Sequence, residues 1–322
     1  MNKFKKIGLS ALAGSLVATS AFAGEMSVAG GASIGVSHTN GNSSDTGKSF
    51  TMGNQLTFTG GGELDNGLNV ALSFVLDQND DSATASYGTK NSNAGTPFDS
   101  HSVTISSDTL GSIKFSGEGG SSAISAMDTT AAGDIFDEFD SSTANILPTG
   151  IGGGDNSMMY TLPAMVDGVA INVSYDPRGT ADATTAWNAT YTGVEGLSAS
   201  VAMGDGSAEN TDGTAYKLSY AFGPITAAYS NYEYDAATAA ASNETTSYAI
   251  TYTVSDELSV TYGAETIEEG TSQDVETWKL SAAYTAGGMT ISADTYEIDN
   301  QNGTTATSED REKWALGVSF AF

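Results

Sequence analysis

The sequence predicts an all-β fold, a 16-stranded antiparallel transmembrane β-barrel, and three observations carry that prediction. Apolar residues recur at every second position, the period that gives a strand one greasy face and one wet face. The alternating stretches are joined by connections that switch strictly between short and long. The first residues have the form of an export signal.

Residues 1–23 open with Met1-Asn2-Lys3-Phe4-Lys5-Lys6, run through an apolar core from Ile7 to Val17, and end in Ala21-Phe22-Ala23. A basic flank, a short apolar core and small residues before the cut describe a cleaved signal peptide, leaving 24–322 as one barrel domain. No later window approaches the roughly 18 consecutive apolar residues of a transmembrane helix, so membrane residence must come from strands. The chain has no cysteine, and disulfides hold nothing. Cleavage removes Lys3, Lys5 and Lys6 and leaves 8 basic residues against 39 acidic ones, a net charge of −31. That sign disfavours nucleic acid as a partner. Such acidity with abundant Gly, Ser, Thr and Asn also suits disorder, but the alternating strands argue against it.

Period-2 alternation marks strands near residues 26–38, 49–62, 67–78, 100–108, 111–119, 156–164, 168–176 and 185–193. Eight more fall near 196–204, 213–222, 224–234, 244–254, 257–268, 274–286, 288–298 and 311–322. The first strand turns Val28, Gly30, Ala32, Ile34 and Val36 outward, small enough for another barrel to approach closely. In the third, Leu68, Val70, Leu72, Phe74 and Leu76 oppose Asn69, Ala71, Ser73 and Asp77. In the seventh, Val169, Ile171, Val173 and Tyr175 oppose Ala170, Asn172, Ser174 and Asp176. The tenth sets Tyr216, Leu218, Tyr220 and Phe222 against Lys217, Ser219 and Ala221. The last sets Trp314, Leu316, Val318, Phe320 and Phe322 against Lys313, Ala315, Gly317, Ser319 and Ala321. Aromatic residues mark both ends of the lipid-facing rows, with Trp187, Tyr216, Tyr248, Trp278 and Trp314 at one end and Tyr191, Phe222, Tyr252, Tyr284 and Phe322 at the other.

Seven short turns, such as Asp65-Asn66, Val194-Glu195, Ser255-Asp256 and Gly287, alternate with eight polar loops. Short periplasmic turns and long external loops are the habit of outer-membrane barrels, and an even strand number returns both termini to the periplasmic side. Closing the first strand on the last removes both sheet edges, which hydrocarbon does not tolerate.

Sixteen strands enclose a bore too wide for side chains to fill, and an aqueous channel follows. Lys114, Lys217, Lys279, Arg311 and Lys313 all fall on lumen parity. A lysine on the lipid side would cost about 2–4 kcal/mol at the midplane. Lys114 and Lys217 are candidates for solute contact at the constriction, and Lys279, Arg311 and Lys313 for the pore wall. The third loop, 120–155, is the longest and carries Asp128, Asp134, Asp137, Glu138 and Asp140 around Ile135, Phe136 and Phe139. Folded inward, its apolar trio packs on the wall while its carboxylates face the water path. At the outer rim, Asp77, Asp80 and Asp81, with Asp45 and Asp99, are candidate oxygen ligands for Ca²⁺ bridging to lipopolysaccharide. No twelve-residue calcium loop is present, and solvated acidity is the plainer reading.

The exported sixteen-strand pattern, the acidic third loop followed by Asn156-Ser157-Met158-Met159-Tyr160, and the terminal Phe322 together resemble the Gram-negative general diffusion porins. The resemblance covers residues 24–322 and implies a homotrimer of sixteen-stranded barrels in the outer membrane, passing small hydrophilic solutes passively. It also implies a third loop that forms an internal constriction, with Asp128, Asp134, Asp137, Glu138 and Asp140 as its carboxylates. A C-terminal strand read by the insertion machinery is implied too, through Phe320 and Phe322. The family's arginine cluster on early strands is missing, because residues 49–108 contain no basic residue on their strands and Lys114 is the nearest candidate. A cation preference is therefore expected.

Two other functions compete. An enzyme such as a phospholipase barrel would use His38 or His101, each beside a serine, but neighbours on a strand point to opposite faces. A structural or adhesive barrel without an open pore would conduct nothing, and a substrate-selective porin would show saturable block by one solute class.

Overall fold

A computed structural model of the chain describes residues 25–41, 47–77, 98–127, 129–139, 151, 154–177, 182–206, 211–270, 272–301, 303 and 310–322. The expected signal peptide lies outside these residues, as do Asp45, Asp80, Asp81, Asp128 and Asp140.

The first five strands are β1 (Glu25–Asn40), β2 (Gly47–Glu63), β3 (Asn69–Asp77), β4 (Phe98–Ser107) and β5 (Gly111–Glu118). After the third loop come β6 (Ser157–Thr161), β7 (Val169–Asp176), β8 (Thr184–Tyr191), β9 (Leu197–Asp205) and β10 (Asp212–Phe222). The chain ends with β11 (Ile225–Asp235), β12 (Asn243–Thr253), β13 (Leu258–Glu269), β14 (Val275–Ala286), β15 (Met289–Asp299) and β16 (Arg311–Ala321). Each strand pairs antiparallel with its sequence neighbours, and β1 pairs with β16 to close the barrel. Two strands are clearly shorter than their patterns predict: β3 spans Asn69–Asp77 within the expected 67–78, and β6 stops at Thr161 within the expected 156–164. Leu162 still donates its N–H to the Ile171 carbonyl at 3.0 Å, but Pro163 has no N–H with which to extend the ladder.

The seam depends on the chain end. Backbone bonds of 2.7 and 3.0 Å join Gly30 and Phe322, and the Phe322 ring lies where a Cβ at residue 30 would stand. From there the register runs from Gly31 opposite Ala321 to Asn40 opposite Glu312. At the turn end, β14 passes to β15 through Gly287-Gly288, both with positive φ, the geometry a two-residue hairpin needs to match strand twist.

The expected faces are realised. On β10, Tyr216, Leu218, Tyr220 and Phe222 are exposed on the outside while Ala215 is buried inside. On the outer faces of β2 and β3, Phe58 and Phe74 stack at 4.8 Å. Both aromatic girdles form, and Trp278 also donates its indole N–H to Glu297 at 2.9 Å near the external end. The buried apolar core does not fill the barrel. It forms two patches between the inner wall and the third loop.

The two faces should respond oppositely to charge. Leu218→Arg is expected to destabilise the barrel by about 2–4 kcal/mol, whereas Ser219→Arg, one residue along on the wet face, should be near neutral. Urea titration of the protein folded into phospholipid vesicles measures both.

Candidate functional site: the third loop and the bore

The described residues of the third loop, 120–127, 129–139 and Ile151 among them, lie inside the barrel because the loop's sequence carries an apolar side. Ile135, Phe136 and Phe139 sit on a short 3₁₀ turn, Ile135–Phe139, and all three are buried. They pack against Ala249, Ile267, Val275, Tyr296, Ile298 and Ala315, the inward residues of β12 to β16. Earlier in the loop, Ala123, Ile124 and Met127, together with Ile151, cover Ala186, Ala202, Ala215 and Tyr232 on β8 to β11.

Polar side chains of the wall then tie the loop backbone down. Ser174 on β7 accepts from Ala123 N–H at 2.8 Å, and Asn188 on β8 donates to the Ala123 carbonyl at 2.5 Å. Tyr232 on β11 donates to the carbonyls of Met127 and Thr129. Ser230 and Ser247 each accept, at 2.9 Å, from the N–H groups of Ala131 and Ala132. Glu265 on β13, only 1% exposed, accepts from the Thr130 hydroxyl and from Phe136 N–H. Buried polar groups of this kind are satisfied only while the loop stays in place.

The predicted basic residues of the wall join the same system. Lys217 donates to the Thr129 carbonyl at 2.7 Å, Arg311 to the Phe139 carbonyl at 3.2 Å, and Lys313 to the Glu138 carbonyl at 2.6 Å. Lys313 also pairs with the Glu138 carboxylate at 3.1 Å. Lys279 lies beneath Gly133, and near it Asp294 takes hydrogen bonds from Ser281 and Ser292. All four bases therefore lie on the loop side of the bore. Lys114 is set apart from them, on the inward parity of β5 between Thr104 and Met159, and is exposed.

The loop carboxylates divide by surroundings. Asp134 is buried in the loop's own turn, where its carboxylate accepts from Thr130 N–H at 2.7 Å while its N–H donates back to the Thr130 hydroxyl at 2.7 Å. Glu138 is half-buried against Lys313, and Asp137 is exposed. Across the bore, the inward faces of β1 to β5 carry mostly small and hydroxyl side chains, with Gln55, Asp77 and Lys114 among them. Two pairs there hydrogen-bond to each other, Ser27 with Thr59 at 2.5 Å and Ser37 with Ser49 at 2.8 Å.

Of the candidate rim carboxylates only Asp77 and Asp99 are among the described residues, and Asp77 keeps its expected inward parity on β3, opposite Gln55. Among the described residues no group of three His, Asp or Glu side chains could hold a metal ion. Lys217, Arg311 and Lys313, expected on the lumen side, each donate to the loop backbone from there. Glu265, Tyr232 and Ser247 were not singled out from sequence. Their inward parity is readable, but the loop atoms they meet lie more than 100 residues away.

The histidines both face outward. His38 meets Trp314 with ring centroids 6.1 Å apart, while its neighbour Ser37 bonds to Ser49 inside. His101 lies over Gly117 on the outer face.

Removing the Glu265 carboxylate should release the loop. Glu265→Ala is expected to weaken the loop's attachment by about 1–3 kcal/mol through unsatisfied buried groups. Hydrogen exchange at the amides of residues 130–136 should then accelerate by roughly tenfold or more while the strand amides keep their protection.

A model of the Gram-negative porin family matches residues 8–322. A five-substitution variant of the porin of Rhodopseudomonas blastica superposes with a TM-score of 0.67 at 15% identity, covering 92% of this chain and 100% of that one. A triple mutant of the same porin gives 0.67 at 14% identity with the same coverage. Comparison with curated protein sequences finds no match. The solved structures share the fold, and the family match spans almost the whole chain, with its closed barrel and the loop strapped inside. The chain belongs to the family of Gram-negative porins, β-barrel channels of the outer membrane.

Proposed function

We propose that this porin passes ions and small hydrophilic solutes by passive diffusion, with a preference for cations set in the gap between the third loop and the β1–β5 wall. One observation carries the reading: the bases Lys217, Arg311 and Lys313 are occupied by the loop, while Asp137 is exposed on it. The wall opposite offers hydroxyls, Asp77 and Lys114 rather than a basic cluster. A cation about 8 Å from a carboxylate gains roughly 0.5 kcal/mol in water and about 2 kcal/mol at an effective dielectric near 20. That biases permeation without trapping the ion.

Within this reading Asp137 is the principal constriction carboxylate. Glu138 contributes less because Lys313 neutralises it, and Asp134 acts by shaping the loop turn. Asp128 and Asp140, outside the described residues, complete the candidate set, with Lys114 as the opposing charge. Passive passage, rather than catalysis, is supported by the outward histidines, which stand on the opposite face from the serines beside them.

The remaining partners follow from the outer surface. A homotrimer is supported by the small outward side chains of β1 and by Phe50 and Met52, exposed beside them on β2. Phe322, seated at the seam, and Phe320 are the residues we assign to recognition by the insertion machinery. Lipopolysaccharide surrounds the external girdle.

Reconstituted in a planar bilayer, the protein should give stepwise ohmic channels with a cation-biased reversal potential. Asp137→Asn should reduce that bias clearly and Glu138→Gln only slightly. No conductance would favour a structural barrel, and saturable block by one solute class a selective porin. Native mass of the detergent-extracted protein checks the trimer.

A further inference from the structure

We propose that the width of the passage is set by two inward glycines of the wall, Gly204 on β9 and Gly263 on β13, which let the third loop sink against the barrel. The proposal rests on the reading that solutes pass between this loop and the β1–β5 wall. Each glycine lies against one of the two apolar patches beneath the loop, Gly263 at Ala132 and Gly204 at Ile124 and Ile151.

Gly263 lies opposite Ala249 on one side and Lys279 on the other. A Cβ placed there would stand 2.7 Å from Ala132 Cβ and 3.3 Å from Ala132 Cα. Neither atom can turn aside, because an alanine has no rotamer to change. Carbon atoms in contact prefer about 3.5–4.0 Å, so one added methyl requires the loop or the wall to move by roughly 1 Å. The wall strand is hydrogen-bonded on both sides, and the loop is not part of the ladder. The loop therefore moves, and the direction open to it is into the bore.

Gly204 repeats the arrangement in the other patch, opposite Ala186 and Gly213. A Cβ there would overlap Ile151 Cγ2 and stand 3.3 Å from Ile124 Cγ2. Both isoleucines are fully buried, so their methyls have no empty space to enter. The clamps described above hold the loop down, and the glycines fix how far down it goes. A clamp determines whether the loop stays; a notch determines the gap that is left.

The test uses the full-length protein in planar bilayers and in liposomes loaded for swelling with neutral sugars of increasing size. Gly263→Ala and Gly204→Ala should each lower single-channel conductance, and Gly263→Val should lower it further, with the steepest loss for the largest sugar. Ala132→Gly removes the methyl that meets residue 263, so adding it to Gly263→Ala should restore conductance and the sugar profile. A merely structural role for Gly263 would not be rescued in this way. Heat-modifiable gel mobility confirms that each barrel is folded, and the alanine variants carry the test if the valine variant is not.

Unchanged or raised conductance in the alanine variants, or failure of the rescue, would overturn the proposal while leaving the channel reading intact. A wild-type protein that conducts nothing would overturn both.

Discussion

Every backbone N–H and C=O in a membrane must find a partner within the protein, because hydrocarbon supplies none. For this chain that requirement is met at one place above all, the seam where β1 meets β16. Sequential hairpins satisfy the other strands locally, but an open sheet would leave two bare edges in lipid. The last residue, Phe322, helps secure the closure by pairing with Gly30 and laying its ring over the missing side chain. Closure at sixteen strands then leaves a hollow, and what fills part of that hollow is the chain's own third loop.

The loop turns a hollow cylinder into a channel with two unlike sides. On one side stand its apolar anchors, the wall groups that hold its backbone, and most of the basic residues of the bore. On the other stand hydroxyl-bearing strands that bond among themselves. A base that donates to a loop carbonyl still carries its charge, but that charge is spent on the near side, beside the carboxylates it partly neutralises. The electric field across the gap is accordingly weaker than one drawn between opposed clusters.

Legibility differed between barrel and site for a physical reason. A strand declares its faces by the period of two, so Leu218 and Lys217 could be assigned to lipid and water from their spacing alone. The ladder of short turns and long loops gave the order of strands, since antiparallel neighbours in sequence are neighbours in space. Even the inward trend of the third loop was visible in Ile135, Phe136 and Phe139, which a solvated loop has no use for. The short β6 was not anticipated, because alternation continues past Thr161 while Pro163 ends the ladder.

The site itself was less readable. Nothing in the period of a strand says that Glu265 meets Thr130, that Tyr232 meets Met127, or that Asp134 is buried in its own turn while Asp137, three residues on, is exposed. The sequence by itself determined the barrel, its strand count and the face of each side chain, because backbone pleat and the two solvents act locally on every residue. Only the tertiary structure decided which wall groups hold the loop, where the bases spend their charge and how close loop and wall come. Those outcomes depend on contacts between residues far apart in the chain, whose meeting is set by curvature and closure rather than by any local pattern.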